Sequence, residues 1–248
     1  VVNISPESFY SDSFSPSSQT ATRVEYLRRS GADIIDIGAR STAYNAPPLS
    51  VAEERTRITA TLRDLDGCGI PLSLDTCHAE VLDAALRYDI ALINDIGGLA
   101  DPAYTRIAAD SGLPVIAMAT HKIPGDPTNL QETHAALQEV LTRAQSAGIA
   151  DRLILDPGIG KWSESRTSDA DWDLCRHFSE LKRYDCPLLA AVSRKRFIGD
   201  ALQKPAQDRL SGSLAVLGYL IEAGANILRV HDVAETRDVV SVYKNLLK

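Results

Sequence analysis

Short runs of Val, Ile and Leu recur along the chain, and each ends at a polar residue followed by a loop and an amphipathic stretch. Continuous apolar runs are typical of strands buried on both faces, as in a parallel sheet. The amphipathic stretches predict helices, several of which stop at a glycine such as Gly31, Gly148 or Gly224. The eight predicted strands are Val1–Ile4, Ala32–Gly38, Pro71–Asp75, Ala91–Asp95, Pro114–Met118, Leu153–Asp156, Pro187–Ser193 and Ile227–His231.

Eight β-then-α units in 248 residues are typical of a closed (β/α)8 barrel, so we predict an α/β fold with a single TIM barrel. The alternative is an open doubly wound sheet, which usually carries a glycine-rich loop after its first strand. The segment Ser5–Phe9 has no glycine, which favours the barrel. The predicted helices are Thr20–Ser30, Val51–Leu65, His78–Arg87, Ala103–Ser111, Leu130–Ala147, Asp169–Tyr184, Gln207–Ala223 and Val233–Leu247.

Composition narrows the class of protein. Acidic residues exceed basic ones by 33 to 26, the net charge is −7, and no basic run suits nucleic acid. No apolar run has membrane-spanning length, and we expect no signal peptide. The four cysteines lack metal-like spacing, which favours reduced thiols and a cytoplasmic protein. We expect one domain over residues 1–248, with part of the first strand trimmed because the chain opens without Met.

Polar side chains collect where the predicted strands end, which is where (β/α)8 barrels build their active sites. Seven of the eight ends carry an ionisable or amide group. Any one of these groups could instead cap a helix or a loop, as Asp75 and Asp156 suggest, but their convergence favours a polar ligand site. The residues at these ends are Asn3, Asp36, Asp75, Asn94, Asp95, Met118, Asp156, Ser193, Arg194, Lys195, Arg229, His231 and Asp232.

These side chains divide into two kinds of chemistry. Carboxylates and amides pair with the N–H groups of a flat heterocycle bearing an amino-pyrimidinone edge, whereas cationic donors suit a diphosphate. A diphosphate would bring Mg²⁺ with one or two protein contacts, while the absence of a Gly-x-Ser-x-Gly elbow or a His/Cys cluster argues against a serine hydrolase or a zinc site. The acceptors are Asp75, Asn94 and Asp156, and the donors are Lys195, Arg229 and His231.

A set of motifs in the expected order resembles the signatures of the dihydropteroate synthase family. The resemblance covers nearly the whole chain and is most specific at Ser193-Arg194-Lys195 and Arg229-Val230-His231-Asp232. It implies a transferase that joins 6-hydroxymethyl-7,8-dihydropterin diphosphate to p-aminobenzoate or a related aminobenzene and releases diphosphate, in folate or related pterin biosynthesis. It also implies a homodimer. The other matching segments are Asn3–Phe9, Asp36–Gly38 with Ser41-Thr42, Asp75-Thr76, Asn94-Asp95 and Asp156–Gly160.

The resemblance also implies a role for each matching residue. In the family's pattern, Asn3 contacts the diphosphate and its Mg²⁺, Ser193 receives the carboxylate end of the amine, and Thr42 lies in a loop that closes over the substrates. The pterin is held by Asp75, Asn94, Met118, Asp156 and Lys195, the diphosphate is bound by Arg229 and His231, and the catalytic set is Lys195, Asp75, Arg229 and His231.

Departures from the family's pattern fall on the loops and the amine side. Ala43-Tyr44 stands where the family has Arg-Pro, and Lys161, followed by Trp162, stands where it has Phe. Glu7 replaces an Asp, and Ala119–Lys122 follows Met118 where the family has His directly. These changes resemble archaeal-like branches that use a modified aminobenzene. Lys122 or Lys161 could replace the arginine that is missing at Ala43.

The alternatives to a synthase are a pterin-dependent methyltransferase, which expels no diphosphate, and a non-catalytic pterin-binding protein.

Overall fold

Eight short parallel strands form the centre of the protein in a computed structural model that describes residues 1–5, 17–40 and 49–246. Six of the strands form one sheet in chain order, and the last two pair with each other. The strands are β1 (Val2–Asn3), β2 (Ile35–Gly38), β3 (Leu72–Asp75), β4 (Leu92–Asp95), β5 (Val115–Met118), β6 (Leu153–Asp156), β7 (Leu189–Ala190) and β8 (Ile227–Leu228).

Two contacts close these strands into a barrel. A parallel bridge between Leu155 and Leu188 joins β6 to the segment that leads into β7. The Val1 nitrogen donates a hydrogen bond of 3.0 Å to the carbonyl oxygen of Val230, which joins the segment after β8 to the first strand. The predicted (β/α)8 barrel is therefore confirmed.

Helices surround the barrel and alternate with the strands. No helix in the described ranges is long and apolar enough to cross a membrane. The helices are α1 (Ser17–Arg29), α2 (Val51–Asp64), α3 (Ala79–Ala85), α4 (Pro102–Ser111), α5 (Leu130–Ser146), α6 (Ser168–Arg176), α7 (Arg196–Leu202), α8 (Leu210–Ala223) and α9 (Val233–Leu246).

Some predicted boundaries were wrong. Strand β2 starts only at Ile35, because Gly31 adopts φ +96° and the next residues form a turn. The predicted helix Asp169–Tyr184 is two elements, since α6 ends at Arg176 and a 3-10 helix follows over Phe178–Tyr184. Helix α7 was not predicted: it has seven residues, and no side-chain hydrogen bond within the described chain caps its start.

The core has two layers. The larger layer lies between the strands and the helices, and a smaller cluster fills the barrel, with Leu92, Ile116 and Leu189 buried against Ile154 and Ile227. Side chains two residues apart on a strand share a face, so Asn94 follows Leu92 on the interior face of β4. The interior therefore turns from apolar to polar toward the carboxyl-terminal rim, the edge formed by the eight strand ends.

Candidate active site

The strand register brings the predicted site residues together at the carboxyl-terminal rim. Asp75 is the register partner of Asn94 on the neighbouring strand, and Met118 is the partner of Asp156. Asn94, Met118 and Asp156 are buried. Paired positions in a parallel sheet point to the same side, so these groups share one wall of the rim.

Arg229 lies at the centre of a polar network inside this rim. Its Nε donates to Asp36 Oδ2 at 2.7 Å and one Nη donates to Asp75 Oδ2 at 2.6 Å. Asp36 also accepts from Ser73 Oγ at 2.6 Å and from Asn94 Nδ2 at 3.2 Å. Hydrogen-bond donors and acceptors are therefore interleaved at the rim and do not form a separate acceptor side and donor side. Asp36, which received no substrate role from the sequence, is the hub of the network.

Burial perturbs the two acidic side chains that face this network. It raises the pKa of Asp75 to about 7, against the opposing charge of Arg229, and the nearby carboxylates of Asp36, Glu54 and Asp156 raise it further. Burial likewise raises the pKa of Asp156, although Lys195 opposes the shift. Perturbed carboxyl groups in a concave site are typical of functional positions.

Lys195 enters the rim from the start of α7 and faces the loop between β6 and α6. Its ammonium donates to the Ile159 carbonyl oxygen, and its Nζ lies 5.7 Å from the centroid of the Trp162 ring. Burial lowers the pKa of Lys195 to about 8, against the carboxylates of Asp156 and Asp171. A lysine beside an aromatic face with acidic neighbours is a preorganised donor for a polar ligand.

The two motifs that were most specific in the sequence are joined in the structure. Arg194 forms two bonds of 2.8 Å to the carboxylate of Asp232. Ser193 Oγ accepts from the backbone nitrogen of His231 at 3.3 Å and lies 3.5 Å from Asp232 Oδ2. Burial, followed by neighbouring positive charges that include Arg229, lowers the pKa of His231 well below its ordinary value. This shift favours the neutral form of the His231 imidazole.

A buried carboxylate outside the predicted set anchors the loops after β2 and β3. Glu54, on α2, accepts from Thr76 Oγ1 at 2.6 Å and from Arg40 Nε at 3.2 Å, and its carboxylate lies 2.9 Å from His78 Nδ1. Burial opposes its ionisation, but the neighbouring His78 and the hydrogen bond from Thr76 lower the pKa of Glu54 overall. Its position in an ordinary amphipathic helix gave no signal of this role.

Several other predicted residues have definite places. Asn3 is partly buried at the end of β1, opposite Gly38. Asp95 accepts from the backbone nitrogens of Gly97 and Leu99, both at 2.7 Å, so it shapes its own loop. Lys161 Nζ donates to two carbonyl oxygens of its loop, those of Glu164 and Arg166. The segment 6–9 of the first motif, including Glu7, and the predicted residues Ser41, Thr42, Ala43 and Tyr44 lie outside the described ranges.

A cavity of about 430 Å³ opens at the opposite, amino-terminal end of the barrel. It is lined by residues that precede β2 and β8, such as Ala32 and Asn226, and it reaches Asp36, Asn94 and Arg229. Residues of the Arg229 network therefore also line this cavity.

A closed barrel whose rim holds buried carboxylates, an amide and a perturbed lysine defines a TIM-barrel enzyme for a polar small molecule. Residues 1–231 match the family described as pterin binding enzyme. The curated dihydropteroate synthase of Escherichia coli K12 is 33% identical over 261 residues, which cover 100% of this chain and 90% of the relative. That of Synechocystis is 35% identical over 257 residues, which cover 98% and 87%. The chain therefore belongs to the pterin binding enzyme family and is a transferase of the dihydropteroate synthase type.

Solved structures show the same relationship in three dimensions. Dihydropteroate synthase from Xanthomonas albilineans with 4-aminobenzoic acid superposes with a TM-score of 0.89 at 34% identity, covering 99% of this chain and 91% of that one. The Yersinia pestis enzyme in complex with a sulfonamide drug gives 0.89 at 31%, with the same coverage. The resemblance inferred from the motifs is confirmed.

Proposed function

We propose that the protein condenses 6-hydroxymethyl-7,8-dihydropterin diphosphate with p-aminobenzoate, or a related aminobenzene, and releases diphosphate. The observation that carries the proposal is the rim wall on which Asp75 and Asn94 lie side by side, with buried Asp156 near Lys195. Its acceptors and donors match the N–H and carbonyl edge of a pterin. The Xanthomonas albilineans relative, solved with 4-aminobenzoic acid, supports this choice of amine.

The reaction breaks the C–O bond between the pterin methylene and the diphosphate and forms a C–N bond to the amine. Diphosphate leaves with the electron pair, and the amine nitrogen loses a proton. Asp75 and Asp156 would accept hydrogen bonds from the pterin ring, while Lys195 would donate to it. Fixed charges around the ring would orient the methylene toward the amine and stabilise the positive character that develops there.

The leaving diphosphate would meet Arg229, His231 and Asn3. Arg229 already uses Nε and one Nη on Asp36 and Asp75, so its other Nη would face the anion. The two carboxylates hold the guanidinium plane in place, because two charge-assisted hydrogen bonds from the same planar group limit its motion. A neutral His231 would contribute an N–H donor rather than a full charge.

Mg²⁺ would bind beside the diphosphate. Among the described residues, no three His, Cys, Asp or Glu side chains cluster to hold a metal ion. The amide oxygen of Asn3 is a hard donor of the kind that Mg²⁺ prefers, and this ion commonly takes one or two protein ligands and completes its shell with substrate oxygens and water. When bound, it would neutralise charge on the leaving group.

We also propose a homodimer that acts in the cytoplasm. Exposed apolar side chains on α7, α8 and α9 support the dimer, although Leu217 on α8 is buried within the protomer. Light scattering would give the mass in solution, and cell fractionation would give the location. The exposed residues are Leu202, Tyr219, Val242 and Leu246.

The test is diphosphate release from the pterin diphosphate and Mg²⁺, with and without p-aminobenzoate. Release that depends on the amine, with dihydropteroate formed, is the expected result. Pterin binding without release calls for a ribosylated aminobenzene as the second amine. If that also gives no release, the function is that of a methyltransferase or a non-catalytic pterin-binding protein, and the proposal fails.

A further inference from the structure

A buried ion pair joins the two loops beside Lys195. Arg166 lies in the loop before α6 and Asp171 in the first turn of that helix, and both side chains are 2% exposed. Arg166 Nε and one Nη approach Asp171 Oδ1 at 3.0 Å, and the other Nη donates to the Pro127 carbonyl oxygen at 2.8 Å. The pair thus ties the loop after β5 to the loop after β6.

The same carboxylate oxygen contacts the backbone that holds Lys195. Asp171 Oδ1 accepts from the Gly160 nitrogen at 2.9 Å, while the Ile159 carbonyl oxygen accepts from Lys195 Nζ. These two atoms belong to one peptide group, the planar unit between Ile159 and Gly160. Asp171 therefore holds one end of a rigid plane whose other end receives the lysine ammonium.

Gly160 allows this close approach. It adopts φ +135°, and a Cβ atom there would lie 3.0 Å from Lys195 Cδ and 3.1 Å from its Nζ. The lysine stem consequently packs directly on the backbone that Asp171 fixes. A shift of this peptide would move the acceptor of Lys195 with it.

We propose that Asp171 is a positioning residue for Lys195 and acts through the Ile159–Gly160 peptide. The inference rests on the proposed function for its consequence in catalysis. Asp171 touches no substrate in this account. It sets where the lysine ammonium lies and how strongly that ammonium is held.

The charged side chains around Lys195 make its pKa a direct measure of this inference. Asp156 from β6 and Asp171 from α6 raise the pKa of Lys195, whereas Arg229 from β8 and Arg166 from the β6–α6 loop lower it. Burial is the dominant influence and brings the pKa to about 8. Neutralising Asp171 therefore lowers the pKa of Lys195 further, which a purely structural change elsewhere on α6 would not do.

The experiment compares Asp171→Asn with Asp173→Asn, which changes a 41% exposed carboxylate on the same helix. The asparagine oxygen can still accept from Gly160, so the change removes charge with little loss of shape. The pKa of Lys195 is followed by NMR of side-chain-labelled lysine, with the signal assigned from Lys195→Met. We expect Asp171→Asn to lower this pKa and to weaken binding of 6-hydroxymethyl-7,8-dihydropterin at pH 8 by roughly tenfold, and Asp173→Asn to change neither.

A second variant guards against misfolding, because Asp171→Asn leaves Arg166 buried without its partner. The double change Arg166→Met with Asp171→Asn removes both charges, and buried ion pairs replaced by neutral groups are often tolerated. It should bring the pKa of Lys195 back toward 8, since Asp171 and Arg166 act in opposite directions. An unchanged lysine pKa in Asp171→Asn, or a lysine pKa in the double variant that falls as far as in Asp171→Asn, overturns the inference. The NMR readout needs no turnover, so a wild-type protein without synthase activity would refute the proposed function alone.

Discussion

Arg194 and Asp232 form a two-point ion pair that joins the turns after β7 and β8. Both bonds are 2.8 Å long, and the side chains are 7% and 14% exposed. Arg194 holds a left-handed backbone, with φ +56°, and its nitrogen donates to Ser213 Oγ at 2.8 Å. The pair fixes the neighbours of both partners, Lys195 on one turn and His231 on the other.

Replacing Arg194 with Met should lower the free energy of unfolding by about 3 kcal/mol, because it leaves the largely buried carboxylate of Asp232 without its guanidinium partner. Urea denaturation measures the change. Arg196→Met is the matched control, since Arg196 is 62% exposed and lies 3.6 Å from Asp200, so its loss should fall within about 0.5 kcal/mol. Equal losses in the two variants would contradict a structural role for the Arg194 pair.

Glu54→Gln should destabilise the protein by about 3 kcal/mol near neutral pH, because the amide cannot replace a buried carboxylate that accepts from Thr76 and Arg40 and lies beside His78. The control is Glu53→Gln, which changes an exposed neighbour paired with Arg57. The pKa of Glu54 is lowered from 4.5 in the folded protein, so its contribution is present above that value and is lost as the pH falls through the folded pKa.

The unfolding curves of wild type and Glu54→Gln should therefore converge in acid. Denaturant titrations at a series of pH values would show this convergence. A gap that persists below the folded pKa of Glu54 would mean that the ionised carboxylate is not what stabilises the two loops.

The sequence alone predicted which residues gather at the carboxyl-terminal rim, because the direction of each strand determines which of its residues lies there. Asp75, Asn94 and Asp156 each end a buried apolar run, and parallel strands bring such ends to one edge. The periodicity of apolar residues along the chain is sufficient for this inference, because the inference depends on the order of the strands and helices and not on how they pack.

The pairing of these residues could not be predicted in the same way. Arg229 and Asp36 are 193 positions apart and meet only because the barrel closes. A single sequence does not specify which carboxylate a guanidinium will bind. Arg229 was therefore expected to bind the diphosphate and not an aspartate side chain. Asp171 shows the same limit, since nothing in the pattern of α6 indicates a bond to the Gly160 nitrogen.

Asp156→Ala and Lys195→Ala should each abolish detectable pterin binding. The first removes a buried acceptor and leaves Lys195 with less negative charge nearby, and the second removes the cationic donor near Asp156. Loss of a charged hydrogen-bond partner costs about 1.5–3 kcal/mol, or roughly one to two orders of magnitude in affinity per bond. Calorimetry with a pterin measures it, and Asp151→Ala, at an 82% exposed site just before β6, is the control. Unchanged affinity in Asp156→Ala would remove the central site assignment.

Pterin affinity should pass through a maximum between pH 7 and pH 8. The pKa of Asp75 is raised to about 7 by burial, so its carboxylate becomes a full acceptor only as the pH rises through that value. The pKa of Lys195 is lowered to about 8 by burial, so its ammonium donor is lost as the pH rises further. Calorimetric titration of a pterin across this range gives the profile.

Two variants separate the limbs of this profile. Asp75→Asn cannot ionise, so it should bind more weakly throughout and lose the acidic limb. Lys195→Arg keeps its charge at every accessible pH, so it should lose the basic limb. Ionisation of the pterin itself is common to all three proteins, and only the differences between them report on the site. If both limbs persisted in both variants, the pH dependence would come from the ligand. The ionisation of Asp75 and Lys195 would then have no part in pterin recognition.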